Sequence, residues 1–134
     1  MRNHMTDPLP DTPQAWLRRA RADLALARVG VKADDTLPEH LCYHAQQAAE
    51  KAIKAVLVSR DVDFPWVHAL EHLLNLCWEA GVPIPQSARR AIDLSDYASI
   101  TRYPGDYEPV TEAEVSHAIA VAQDIIDWAQ KLTS

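Results

Sequence analysis

The sequence predicts an all-α fold, a four- to five-helix up-and-down antiparallel bundle. Three observations carry this. Apolar residues recur at spacings of three and four in several separate segments, which is the helical period. Strand-type alternation is absent, and glycine is scarce, at three in 134 residues. The links between the periodic segments are about ten residues or fewer, a length that suits neighbouring antiparallel helices.

Residues 1–11 are polar and broken by proline, so they are expected to form a flexible N-terminal arm, with one domain over residues 12–134. The first helix is expected to start with Thr12 as N-cap and Pro13 in the first position, where its missing N–H costs nothing. Its apolar stripe is Trp16, Leu17, Ala20, Leu24, Ala27 and Val31. Arg18, Arg19, Arg21 and Arg28 lie off that stripe, as a solvated face or an RNA-facing patch. After the Asp-rich link KADDTL, Pro38 opens the second helix.

The second helix is the spine of the prediction. The run LCYHAQQAAEKAIKAVLVS, from Leu41 to Ser59, contains strong helix formers and neither Pro nor Gly. Leu41, Ala45, Ala48, Ala49, Ala52, Ile53 and Val56 form a smooth stripe suited to close packing. At about 100° per residue, the nearly opposite face carries His40, His44, Gln47, Lys51 and Lys54. That polar ladder is either a solvated back or a face that meets a partner or ligand.

A third helix follows from Leu70, Leu73, Leu74, Cys77 and Trp78, with Gly81 as its stop. A fourth is expected from about Gln86 to about Ile100, with Ala88, Ala91, Ile92, Ser95 and Ala98 on its weaker apolar line. TRYPGDYEPV, residues 101–110, cannot continue a helix. Thr111 and Glu114 then form a capping-box signal, with Val110 and Val115 placed as a hydrophobic staple. The last helix carries Val115, Ala118, Ile119, Ala122, Ile125, Ile126 and Ala129 on one stripe. Val121 and Trp128 fall on a second side, expected to be partly exposed or to meet another chain.

Composition narrows the function. The net charge of −6 disfavours a general nucleic-acid-coating role, so any contact with RNA or nucleotide would be local. Cys42 and Cys77 lie in apolar helical stretches and are expected to be buried free thiols, as suits a reducing cytosol. No C-x-x-C appears, and His68 with His72 lacks an evident third ligand, so neither a metal nor a cofactor is expected. There is no Gly-rich phosphate loop, G-x-S-x-G or H-E-x-x-H. With no signal-peptide core and no transmembrane-length apolar run, a soluble cytoplasmic protein is expected, without membrane contact.

HAQQAAEKAIKAVL, the segment HALEHLL after a loop, and TRYPGDY before a capped last helix together resemble a HEPN domain, over residues 12–132. The likeness rests on Gln46, Glu50, Lys51 and Lys54, followed in order by Arg102, Tyr103 and Pro104. It implies a four- or five-helix bundle that commonly dimerises and works in nucleotide and RNA biology. Many such domains lie beside, or are fused to, small nucleotidyltransferases, and some are toxin ribonucleases. The ribonuclease members place a His a few residues after an Arg: the Arg stabilises phosphate charge and the His handles the proton. That spacing is missing here. Arg60 precedes His68 with seven residues between, across a Pro-containing loop, and the first His after Arg102 is His117.

Three readings follow. The first is a non-catalytic HEPN-type binding module that contacts nucleotide or RNA through His44, Gln47, Lys51, Arg102 and Tyr103. It would pair with a small nucleotidyltransferase or with itself as a homodimer. The second is a toxin-type, metal-independent ribonuclease in which Arg60 or Arg102 faces the phosphate and His44 or His68 moves the proton. The third is a structural dimer with no ligand.

Overall fold

Thr12 starts the first helix as its sequence requires: the side-chain oxygen accepts the Ala15 N–H at 3.1 Å, and Pro13 occupies the first turn. The computed structural model describes residues 11–65, 69–97 and 108–134. Its helices are α1 Pro13–Val31, α2 Pro38–Ser59, α3 Leu70–Glu79, α4 Gln86–Arg89 and α5 Glu112–Thr133, with a 3-10 helix Arg90–Tyr97 following α4. The fold is an all-α bundle. The expected N-terminal arm lies almost wholly outside the described residues, as do residues 98–107 of the expected fourth helix and loop.

The α2 helix is the centre of the molecule and packs against α1, α3, α5 and the 3-10 helix. Its stripe Leu41, Ala45, Ala48, Ala49, Ala52, Ile53 and Val56 is buried throughout, and Leu57 joins it. Small side chains there let neighbouring backbones approach, while Ile53, Val56 and Leu57 each contribute about 1.5–3 kcal/mol of burial. The α1 helix runs antiparallel to α2. Gly30, near its C-terminal end, lies so close to Leu41 that a Cβ would overlap Leu41 Cδ2. Thr36 closes the α1–α2 turn by donating from Oγ1 to the Gly30 carbonyl at 2.8 Å. Asp35, at φ 64°, supplies the left-handed residue this turn uses.

Four expectations are corrected by packing. Val31, placed on the α1 stripe, is 56% exposed, because α1 ends there beyond the cover of its neighbours. Trp78, placed on the α3 stripe, is 61% exposed. Among the described residues the α3 helix packs mainly on α2 and the 3-10 helix, so Leu70, Leu73, Leu74 and Cys77 fill the contact and Trp78 falls past its margin. Val121 was placed on a second side of the last helix. It is fully buried, because α5 packs against α4 and the 3-10 helix as well as α1 and α2, which gives it a wide apolar face. Trp128 is half-buried and donates from Nε1 to the Pro83 carbonyl at 3.4 Å.

The fourth correction is the helix expected from Gln86. It is α-helical only to Arg89 and then tightens to a 3-10 helix through Tyr97. At three residues per turn, Ala88, Ala91, Leu94 and Tyr97 come onto one edge. The first three are buried and Tyr97 packs against the core. Ser95, assigned to the apolar line, instead accepts the Leu70 N–H at 3.1 Å, satisfying a donor at the start of α3.

The α5 helix starts on its capping signal, with Thr111 Oγ1 accepting the Glu114 N–H at 3.1 Å. The Glu114 carboxylate faces Tyr97, whose hydroxyl donates to it at 3.5 Å. Val115 is buried and Val110 packs on the core, as the staple requires. Cys42 and Cys77 are both buried and free. Burial, reinforced by the Glu114 charge, pushes the Cys42 thiol up to about 11. Burial likewise pushes Cys77 up to about 12 and the Tyr97 phenol to about 12, so all three stay neutral at physiological pH. No helix among the described residues is long and apolar enough to cross a membrane.

Candidate functional site

The polar side of α2 is built in two layers. The outer layer is organised by Asp23 of α1. At three residues after Ala20 and four before Ala27, Asp23 shares the buried face of α1 and is only 9% exposed. Its Oδ1 meets His44 Nδ1 at 3.2 Å, and its Oδ2 accepts from Lys51 Nζ. A carboxylate on Nδ1 favours the tautomer with the proton on that nitrogen, which turns the Nε2 lone pair outward. His44 Nε2 makes no hydrogen bond among the described residues. Tyr43 packs edge-on to the His44 ring at 5.4 Å, fixing its plane. The His44 side chain is 34% exposed and that of Lys51 25%, so both reach solvent while anchored from below.

The inner layer is a buried chain of polar groups along α2. Gln47 donates to Gln46 Oε1 at 2.8 Å, and Gln46 donates to Glu50 Oε1 at 3.2 Å. Lys54 donates to Glu50 Oε2 at 2.9 Å, one helical turn on. The Lys54 ammonium also lies over the rings of Trp16 and Phe64, at 5.6 and 5.3 Å from their centroids. Among the described residues, no buried side-chain nitrogen or oxygen lacks a partner.

This arrangement corrects the picture of a solvated ladder. His44 and Lys51 are drawn together by Asp23, while Gln47 turns inward onto Gln46. Lys54, expected on the outer ladder, is 5% exposed, because its stem packs under Trp16 and Phe64 and its charge is matched by Glu50. His40 remains exposed. Arg102 and Tyr103 lie outside the described residues, as does His68. Arg60 is exposed at the C-terminal end of α2. Sixteen residues of helix separate it from His44, or about 24 Å of axial rise, so these two cannot act together on one phosphate within a single chain. Among the described residues, no group of three or more His, Cys, Asp or Glu side chains gathers to hold a metal ion.

Asp23 is the site residue that sequence reasoning missed. Its signal was present: an acidic residue at a position that the helical period assigns to the core needs a buried partner. Which residue of α2 supplies that partner depends on the α1–α2 register.

No curated protein matches the chain. Two solved structures share the bundle. TT1696 from Thermus thermophilus is 29% identical, with a TM-score of 0.72 over 90% of this chain and 97% of its own. ST0689, an archaeal HEPN homologue, is 25% identical, with a TM-score of 0.71 over 92% of this chain and 98% of its own. The family model described as HEPN domain matches residues 13–132. A match spanning the bundle from the first turn of α1 to the last turn of α5 means that the chain belongs to the HEPN domain family.

Proposed function

We propose that this HEPN domain is a non-catalytic binding module that contacts nucleotide or RNA through the outer layer of α2 and pairs with a small nucleotidyltransferase or a second copy of itself. The observation that carries the reading is the Asp23 anchor. It holds His44 and Lys51 with their remaining hydrogen-bonding capacity directed to solvent. Lys51 offers N–H donors to a phosphate, and His44 Nε2 can accept from a base or a ribose hydroxyl. The Asp23 charge offsets that of Lys51, so the pair supplies directed hydrogen bonds with little net field. Such a site favours a single nucleotide or a short strand over bulk polyanion binding. In the sequence, the Arg-to-His spacing of the ribonuclease members is missing, which supports a role without cleavage. Arg102 and Tyr103 complete the proposed contact set.

Calorimetry with ATP, GTP and short single-stranded RNA tests this. Binding is expected for at least one of them, weakened about tenfold or more in Lys51→Ala, the value of one charge-assisted hydrogen bond. No binding of any of the three would refute the reading.

One observation favours a second reading, a toxin-type ribonuclease. A histidine oriented through Nδ1 by a carboxylate has the arrangement of a general base. Cleavage of RNA by the metal-free protein, abolished in His44→Ala, would establish it. Intact RNA together with harmless overexpression would rule it out.

A further inference from the structure

A trough runs along the seam between α1 and α5 and ends at the α1–α2 turn and the start of α2. Three grooves of ≈ 230, 680 and 330 Å³ follow one another along it. The first two share Arg28 and Gln123, and the last two share Val31 and Ser116, so they are continuous. Their order pairs the start of α1 with the end of α5, which makes these two helices antiparallel. Val29 and Val31 line the trough and are 68% and 56% exposed, bare aliphatic surface at one end of α1.

Charge on the trough is sorted by helix. The α1 wall carries Arg21, Arg28 and Lys32, and the α5 wall carries Asp124 and Asp127. Arg28 and Lys32 lie at the height of Asp124, while Arg21 and Arg28 lie at the height of Asp127. A two-fold axis running along the seam would lay each copy's α1 over the other copy's α5 at the same height. Every cation would then face a partner carboxylate, and the exposed valines would be covered. A surface that is its own complement in this way has the form of an isologous interface.

We infer that the α1–α5 trough is the self-association face of this protein, and that its occupant is the same trough of a second copy. The inference rests on the self-pairing half of the proposed function and assigns that pairing to one face. The overall charge of −6 opposes self-association, so the face must be locally balanced, as this one is.

The test uses the full chain and two paired variants, Arg28→Glu with Lys32→Glu, and Asp124→Lys with Asp127→Lys. Sedimentation equilibrium at tens of micromolar is expected to give a dimer for the unaltered protein. Each variant alone is expected to dissociate on the order of a hundredfold more readily, because like charges then face each other across the axis. The lysine variant is the more telling, since it moves the net charge toward zero and would otherwise favour association. Mixing the two variants is expected to restore a heterodimer, because each supplies the charges the other lost, and this also shows that both are folded. A monomeric unaltered protein overturns the inference and leaves the trough to a different partner. A dimer that persists in both variants overturns it while leaving self-pairing intact, through another face. Failure of the mixture to associate overturns the charge pairing.

Discussion

Replacing Glu50 with alanine is expected to cost about 3–5 kcal/mol of folding stability, the penalty of stranding one partner of a buried ion pair. The Glu50 and Lys54 side chains are 3% and 6% exposed, and their charged atoms lie 2.9 Å apart. Lys54 passes beneath Trp16 and Phe64, so its ammonium cannot reach water unless those rings move. The rings return some of the loss, at about 0.5–2 kcal/mol for a desolvated cation–π contact. Gln46 loses its acceptor on Glu50 as well. For a chain of this length, about 3–5 °C of melting temperature per kcal/mol translates the penalty into a fall of about 10–20 °C. Urea unfolding followed by circular dichroism measures it. The double variant Glu50→Leu with Lys54→Met, which removes both charges and keeps the volume, is expected to be more stable than Glu50→Ala alone. A loss below about 1 kcal/mol in Glu50→Ala would mean that the pair behaves as an exposed one, and the buried-charge reasoning would be refuted.

Asp23→Ala is expected to cost less, about 1–2 kcal/mol, because His44 and Lys51 can turn to water once released. The same urea titration checks it, and nucleotide binding should weaken through lost orientation although a negative charge has been removed. Gly30→Val is expected to cost about 1–3 kcal/mol from overlap with Leu41, partly relieved by Leu41→Ala in a double-mutant cycle. Cys42, Cys77 and Tyr97 have folded-state pKa values raised above their ordinary ones. Their stabilising contribution is therefore fully present below about pH 9, where the unfolded thiols begin to ionise, and is lost as pH rises toward about 12. Melting temperatures measured from pH 7 to pH 11 should fall above pH 9, and less steeply in Cys77→Ala relative to its own value at pH 7. A flat profile would contradict the burial of these groups.

Much of the bundle was legible because local signals and packing agree. Thr12 with Pro13, and Thr111 with Glu114, mark helix starts that the structure reproduces to the hydrogen bond. The alanine-rich stripe of α2 identified the packing spine. The departures came where a helix's exposure depends on how many neighbours it has. Periodicity could give the faces of α3 and α5, but not that α3 would be covered on a narrow strip and α5 on a wide one, so Trp78 and Val121 exchanged expectations. The 3-10 helix was not legible because a period of 3.6 links Ala88, Ala91, Ile92 and Ser95 and passes over Leu94, whereas the buried Ala88, Ala91 and Leu94 are spaced by three. At the candidate site, His44, Gln47 and Lys51 were found as residues of one helix face. Their division into an outer pair and an inward-turned amide required Asp23 and Gln46 to be placed in space.

The fold class, the helix starts, the buried stripe of α2 and the residues that carry the HEPN likeness can be read from the order of residues alone. Each of these is encoded within one or two helical turns, where propensity, capping and period act. Which polar residues are buried, and with whom, follows from how the helices pack. Lys54 could be a solvated lysine or a buried one, and Asp23 a surface carboxylate or an anchor, until α1 was set against α2 in one register. Burial of a charge is a property of the pair and its surroundings, so no single helix can specify it.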